Sequence, residues 1–125
     1  MPKILLIEDN EMNRDMLSRR LIRRGYEVAI AVDGEQGLAM AQAEPPALIL
    51  MDMSLPGLDG WEATRRLKGQ PETKHIPIIV LTGETSKKSR EDAIAAGCDD
   101  FQLKPIDFGG LVEKINSLIG GRAKT

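Results

Sequence analysis

Short apolar runs alternate along the chain with longer amphipathic stretches. The runs are Ile4 to Ile7, Val28 to Val32, Leu48 to Met51, and Ile76 to Leu81, the last with Pro77 near its start. Apolar runs this short predict strands buried on both faces of a sheet. Between them, Met12 to Arg24, Glu35 to Ala43, Trp61 to Lys68 and Ser86 to Ala96 predict helices, and a fifth helix is expected from Phe108 to Ile119. Asp99 to Leu103 reads as a fifth strand, less apolar than the others and expected nearer a sheet edge. Gly25 and Gly97 stand where helix C-terminal caps are wanted, and Asp33, Thr85 and Asp107 where N-cap oxygens are wanted. Leu17 and Leu21, one turn apart, give the first helix an inward stripe.

Repeated strand and helix units imply the α/β class, with a parallel sheet covered by helices on both faces. Ligands of such sheets bind beyond the carboxyl ends of the strands. At those ends stand Glu8 and Asp9 after the first strand, Asp52 at the third, Thr82 at the fourth and Lys104 after the fifth. Three carboxylates so close resist ionising together unless cations compensate. A hard divalent ion with oxygen ligands, of which Mg²⁺ is the type that takes one or two carboxylates plus phosphate oxygens, meets that need. Asp52 is the best nucleophile of the set. A strand-end carboxylate can form an acyl phosphate while the metal and Lys104 neutralise the transferring phosphoryl group. The Thr82 hydroxyl can then donate to a phosphate oxygen, so that free and phosphorylated states differ in their contacts.

Composition narrows the picture further. At 125 residues, 42% hydrophobic and 29% charged, one soluble domain with one core is expected, and 3% aromatics make that core aliphatic. A net charge of -2 disfavours direct nucleic-acid binding. The single Cys98 leaves no partner for an intrachain disulfide and suits a reducing, cytoplasmic setting. The opening apolar run is too short for a signal peptide or membrane span.

The segments Ile7-Glu8-Asp9-Asn10, Leu48-Ile49-Leu50-Met51-Asp52, Leu55-Pro56-Gly57-Leu58-Asp59-Gly60, Val80-Leu81-Thr82-Gly83 and Lys104-Pro105, in this order and spacing, closely resemble the receiver domains of two-component response regulators. The resemblance covers nearly the whole chain: residues 1–120 as one receiver domain and 121–125 as a short flexible tail. It implies a doubly wound, flavodoxin-like sheet of order 2-1-3-4-5 flanked by five helices. Asp52 would be the phosphoacceptor. Asp9 and Asp52 would bind Mg²⁺ directly with the backbone carbonyl of Ser54, and Glu8 mainly through metal-bound water. Lys104 would pair with the phosphoryl group, and the bond from Lys104 to Pro105 would be cis. Thr82 and Phe101 would be the switch pair, reporting phosphorylation on the face made by the fourth helix, fifth strand and fifth helix. Ser54 and Glu84 occupy positions that tune phosphate lifetime. Phe101 departs from the commoner tyrosine, which excludes any partner needing that hydroxyl.

The implied partners are a histidine kinase or histidine phosphotransfer protein as donor, and a downstream protein on the switch face. No nucleic acid or membrane is expected to bind, and the chain is expected to be a monomer or weak dimer. It would catalyse only its own phosphorylation and dephosphorylation. Receivers of this kind meet their donor around the first helix, which makes Asn13, Arg14 and Leu17 candidate contacts among the arginines Arg14, Arg19, Arg20, Arg23 and Arg24; the plainer reading is a solvated face partly offset by Asp15. Lys87, Lys88 and Arg90 read as ordinary surface, and His75 as a loop residue without a second ligand. A small aspartyl-phosphate phosphatase would want an acid where Ser54 stands, and a flavin carrier a phosphate-cradling loop where Glu8-Asp9-Asn10-Glu11 stands. A pseudo-receiver would need chemistry lost that is here present. A stand-alone regulator is the preferred expectation, since Met1-Pro2-Lys3-Ile4 leads directly into the first strand; a segment of a hybrid kinase or larger regulator is the alternative.

Overall fold

The computed structural model describes residues 2–53, 55, 57–83 and 87–120. Five strands and five helices alternate: β1 (Lys3–Ile7), α1 (Glu11–Arg23), β2 (Glu27–Ala31), α2 (Gly34–Ala43), β3 (Leu48–Asp52), α3 (Gly60–Lys68), β4 (Ile78–Thr82), α4 (Lys87–Ala96), β5 (Asp100–Leu103) and α5 (Phe108–Ile115). All pairings are parallel and the strand order is β2-β1-β3-β4-β5. That is the order the resemblance implies.

The three inner strands are aliphatic because side chains on both faces meet helices. Leu5 and Ile7 point into one core layer with Ile49, Met51, Ile78 and Val80, joined by Ala41, Ala63 and Leu67 from helices α2 and α3. Ile4 and Leu6 point the other way, with Leu48, Leu50, Ile79 and Leu81, onto Leu17 and Leu21 of α1 and Leu111 and Ile115 of α5. The period of two in a strand thus divides one apolar run between two layers.

Expectation and structure part at several places. The run Val28 to Val32 does not form a doubly buried strand. β2 is an edge strand whose Ile30 remains exposed, as does Val32 beyond it. β5 is the other edge, as its weaker apolarity predicts. Strand β4 begins after Pro77, which has no N–H to donate. Asp33 caps α2 by accepting from the Gln36 N–H at 2.8 Å, whereas Asp107 stands at the N-cap of α5 without a side-chain capping bond. The caps that α1 and α3 use, Asn10 on Asn13 N–H and Asp59 on Glu62 N–H, come from within the recognised motifs. Gly25 and Gly97 take φ of +94° and +97°, the left-handed cap conformation. The last helix is α-helical only to Ile115 and continues as a π-helical turn, Asn116–Gly120. Thr85, the tail 121–125, and the side chains of Lys87, Lys88 and Arg90 lie outside the described residues. Among the described residues no helix is long and apolar enough to cross a membrane.

Candidate functional site

Parallel strands end on the same side, and this brings the polar strand-end residues together. β1 delivers Glu8, whose N–H still pairs with the Ala31 carbonyl at 3.1 Å. β3 delivers Asp52 in register with Leu81. β4 ends at Thr82, whose carbonyl accepts from the Lys104 N–H at 2.8 Å and so ties the β5 exit to the same rim. The Lys104 to Pro105 bond is cis.

Glu8, Asp9 and Asp52 each offer a carboxylate oxygen, and these atoms lie within 4.8 Å of one another. Asp52 is 2% exposed and Glu8 1%, while Asp9 faces solvent. Lys104 Nζ donates to Asp52 Oδ1 at 2.7 Å. Glu8 Oε2 accepts from the Asn10 N–H at 3.1 Å, but buried Oε1 has no hydrogen-bond partner among the described residues. Burial, reinforced by the neighbouring Asp52 charge, pushes the Glu8 carboxyl up to about 7, against the opposing pull of the Asn10 N–H and Lys104. An orphaned buried carboxylate oxygen beside two other acids needs a proton or a cation. The donor set is all oxygen, so the residues fit a hard divalent ion.

Arg14 has a role the sequence reading did not give it. Its Nη1 donates to the carbonyls of Glu8 at 3.2 Å and Asp9 at 2.9 Å, bracing the acidic loop from the first turn of α1. An arginine five residues after an acid pair is the sequence signal for this bracing, and it fits a solvated face or a donor contact as well. Leu17, a candidate donor contact, is 2% exposed and belongs to the core. The large apolar side chains α1 presents outward are Met12, Met16 and, near its C-terminus, Ile22. A cavity of about 230 Å³ opens beside the acids, lined by Glu8, Asn13, Met16, Leu17, Lys104, Pro105 and Ile106.

The β3–α3 turn has close tolerances. Gly57 adopts φ +68°, and a Cβ on Gly60 would stand 2.6 Å from the Asp52 carbonyl oxygen. Thr82 is buried, and Phe101 is half-buried against the core layer that contains Val80, its register partner. Ser54 and Glu84 lie outside the described residues. His75 is exposed, and it joins no His, Cys, Asp and Glu cluster among the described residues.

Comparison with known proteins agrees with this geometry. The family model described as response regulator receiver domain matches residues 4–116. Protein PilH of Pseudomonas aeruginosa is 34% identical over 97% of this chain and 100% of its own length. Polar-differentiation response regulator DivK of Brucella anthropi is 36% identical over 96% and 98%. Response regulator PleD of Caulobacter vibrioides is 39% identical over 93% of this chain, which spans only 26% of PleD. Among solved structures, chemotaxis protein CheY4 of Vibrio cholerae superposes with a TM-score of 0.90 at 32% identity, covering 95% of this chain and 99% of that one. The receiver domain of sensor histidine kinase PA1611 of Pseudomonas aeruginosa, which holds a magnesium ion coordinated in its active site cleft, gives 0.89 at 36%, covering 95% and 98%.

Proposed function

The chain belongs to the response regulator receiver family, and from that premise we propose that it takes a phosphoryl group from a phosphohistidine donor onto Asp52 and thereby alters a partner-binding face. The observation that carries this reading is the Lys104 to Asp52 contact of 2.7 Å beside the carboxylates of Glu8 and Asp9. A buried carboxylate held against a lysine, at the end of a parallel strand, is a nucleophile with a cation already at hand.

In the transfer, an Asp52 carboxylate oxygen attacks phosphorus, the bond from phosphorus to the donor imidazole nitrogen breaks, and an acyl phosphate forms. Lys104 exchanges its carboxylate partner for a phosphoryl oxygen, so its charge follows the group being transferred. Mg²⁺, for which Asp9, Asp52 and nearby Glu8 are the side-chain candidates, supplies the charge compensation that three acids and a phosphoryl group require. Thr82 donates its hydroxyl to the phosphoryl group, and Phe101 repositions with it. Hydrolysis of the same bond resets the site, so the protein catalyses only its own modification.

The cavity between α1 and Pro105 and Ile106, with Met12 and Met16 exposed nearby, supports donor docking over the site. Ile94 on α4, 71% exposed, supports a downstream protein contact on the opposite flank. PilH and DivK match over nearly their whole length and PleD over a quarter, so both a stand-alone switch and a receiver within a larger regulator have precedent among relatives. A stand-alone cytoplasmic switch is the reading we favour.

Intact mass after incubation with Mg²⁺ and acetyl phosphate tests the core of this proposal. One added phosphoryl group that requires Mg²⁺ and disappears in Asp52→Asn is expected. No addition from acetyl phosphate or from a phosphorylated histidine phosphotransfer protein would reduce the chain to an interaction module.

A further inference from the structure

The outer edge of β5 at Phe101 is occupied by side chains. The Phe101 N–H donates to Asp100 Oδ1 at 2.8 Å, and the Phe101 carbonyl accepts from Lys114 Nζ at 2.6 Å. Lys114 comes from α5, on the far side of the sheet, and wraps around the edge strand. The same Nζ stands 5.5 Å from the centroid of the Phe101 ring and 4.0 Å from Asp100 Oδ1. One ammonium therefore meets the backbone, the ring and the acid of the same strand end. A cation within about 6 Å of an aromatic face is attracted by the ring quadrupole. The arrangement belongs to the conformation in which Lys104 is paired directly with the Asp52 carboxylate.

We propose that Lys114 is a positioning residue that latches the Phe101 ring at the sheet edge, and so sets how much phosphorylation is needed to throw the switch. The inference rests on the reading of Phe101 as the mobile ring. Phenylalanine has no hydroxyl with which to fix its place by a hydrogen bond, and the lysine adds an electrostatic hold on the ring. When the ring leaves, the ammonium loses the ring but keeps the carbonyl. The latch thus opposes the ring movement alone, and an attraction of this kind shifts such an equilibrium about two- to fivefold. Simple protection of a sheet edge by a lysine, the plainer role, would leave the ring equilibrium untouched.

The test uses the full chain with 4-fluorophenylalanine incorporated at its two phenylalanines, Phe101 and Phe108. Phe108, which lies beneath Arg20 and Arg24 rather than Lys114, serves as the internal reference. Fluorine spectra are recorded while beryllium fluoride and Mg²⁺ are titrated in as phosphoryl mimic, for the parent, Lys114→Met and Lys114→Arg. In Lys114→Met the Phe101 signal should lie nearer its mimic-bound position before titration, and the midpoint should fall about two- to fivefold; Lys114→Arg, which keeps the cation, should match the parent. A Lys114→Met chain with the parent's signal and midpoint, or an arginine variant that behaves like the methionine one, overturns the latch. If the mimic binds and the parent's Phe101 signal stays fixed, the switch reading itself fails and the latch falls with it.

Discussion

Lys104 Nζ lies 2.7 Å from Asp52 Oδ1, a contact that closes 52 residues of chain and joins the ends of β3 and β5. It is the one cation bonded to the acid pair Glu8 and Asp52 among the described residues. Lys104→Met should therefore affect two properties. Without Mg²⁺ at pH 8, urea unfolding should show a loss of about 1–2 kcal/mol, smaller than for a fully buried pair because the lysine is partly exposed. Phosphoryl incorporation from acetyl phosphate should slow about tenfold or more, since the cation no longer follows the transferring group. Unchanged incorporation with reduced stability would confine Lys104 to a structural role.

The Glu8 carboxyl supplies a pH dependence with a definite sign. Its folded value of about 7 stands above the ordinary 4.5, so between those limits the folded protein binds more protons than the unfolded chain. In EDTA, this group's contribution is fully present below about pH 4.5 and is lost as pH rises through 7, by at most about 3 kcal/mol. Mg²⁺ competes with that proton, so its affinity should rise about tenfold from pH 6 to pH 8, with proton release visible as buffer-dependent calorimetric heat. Glu8→Gln should flatten the stability profile and remove the proton release. A profile unchanged by that substitution would place the ionisation elsewhere.

How much of this was legible in the sequence follows from where the signals reside. The inner strands and the converging acids were readable because a short aliphatic run and a polar strand end are local features. The strand order rested on family resemblance, because crossovers leave no local mark. The edge character of β2 is not legible locally, since Val28, Ile30 and Val32 are as apolar as an inner strand and only the pairing makes it an edge. Leu17 fits a core stripe and a donor contact alike in the sequence, and its packing with Ile4 and Leu6 of β1 places it in the core. Lys114 leaves no local mark, because it acts on a backbone carbonyl of another element, and the bracing by Arg14 has a signal in the acid pair before it that fits a solvated face or a donor contact equally well.

Arg14 separates bracing from docking. Arg14→Ala removes two hydrogen bonds to the Glu8 and Asp9 carbonyls, at a cost of about 1–2 kcal/mol of stability. If its work is to hold the acidic loop, Mg²⁺ affinity and the rate with acetyl phosphate should both fall severalfold. Met16→Ala should spare both and slow only transfer from a protein donor. Equal rates for Arg14→Ala and the parent with acetyl phosphate, alongside slowed transfer from the protein, would return Arg14 to the donor interface.

Gly60, by its lack of a side chain, leaves room for the backbone of Asp52, the proposed phosphoacceptor. A Cβ there would meet the Asp52 carbonyl oxygen at 2.6 Å, Met53 Cε at 2.6 Å and Met53 Cα at 3.0 Å. The Met53 methyl is the end of a flexible chain and can swing away, but the carbonyl belongs to Asp52, the proposed site of the chemistry. Gly60→Ala should thus destabilise by about 1–3 kcal/mol, although alanine is the better helix former. It should also depress phosphoryl incorporation more than its stability loss explains, because relieving the clash moves the Asp52 backbone away from Lys104. The check is incorporation at a temperature where both proteins are fully folded by circular dichroism. Rates that coincide there would mean that α3 yields instead, and that the position of Asp52 is set by its pairing with Leu81 in β4.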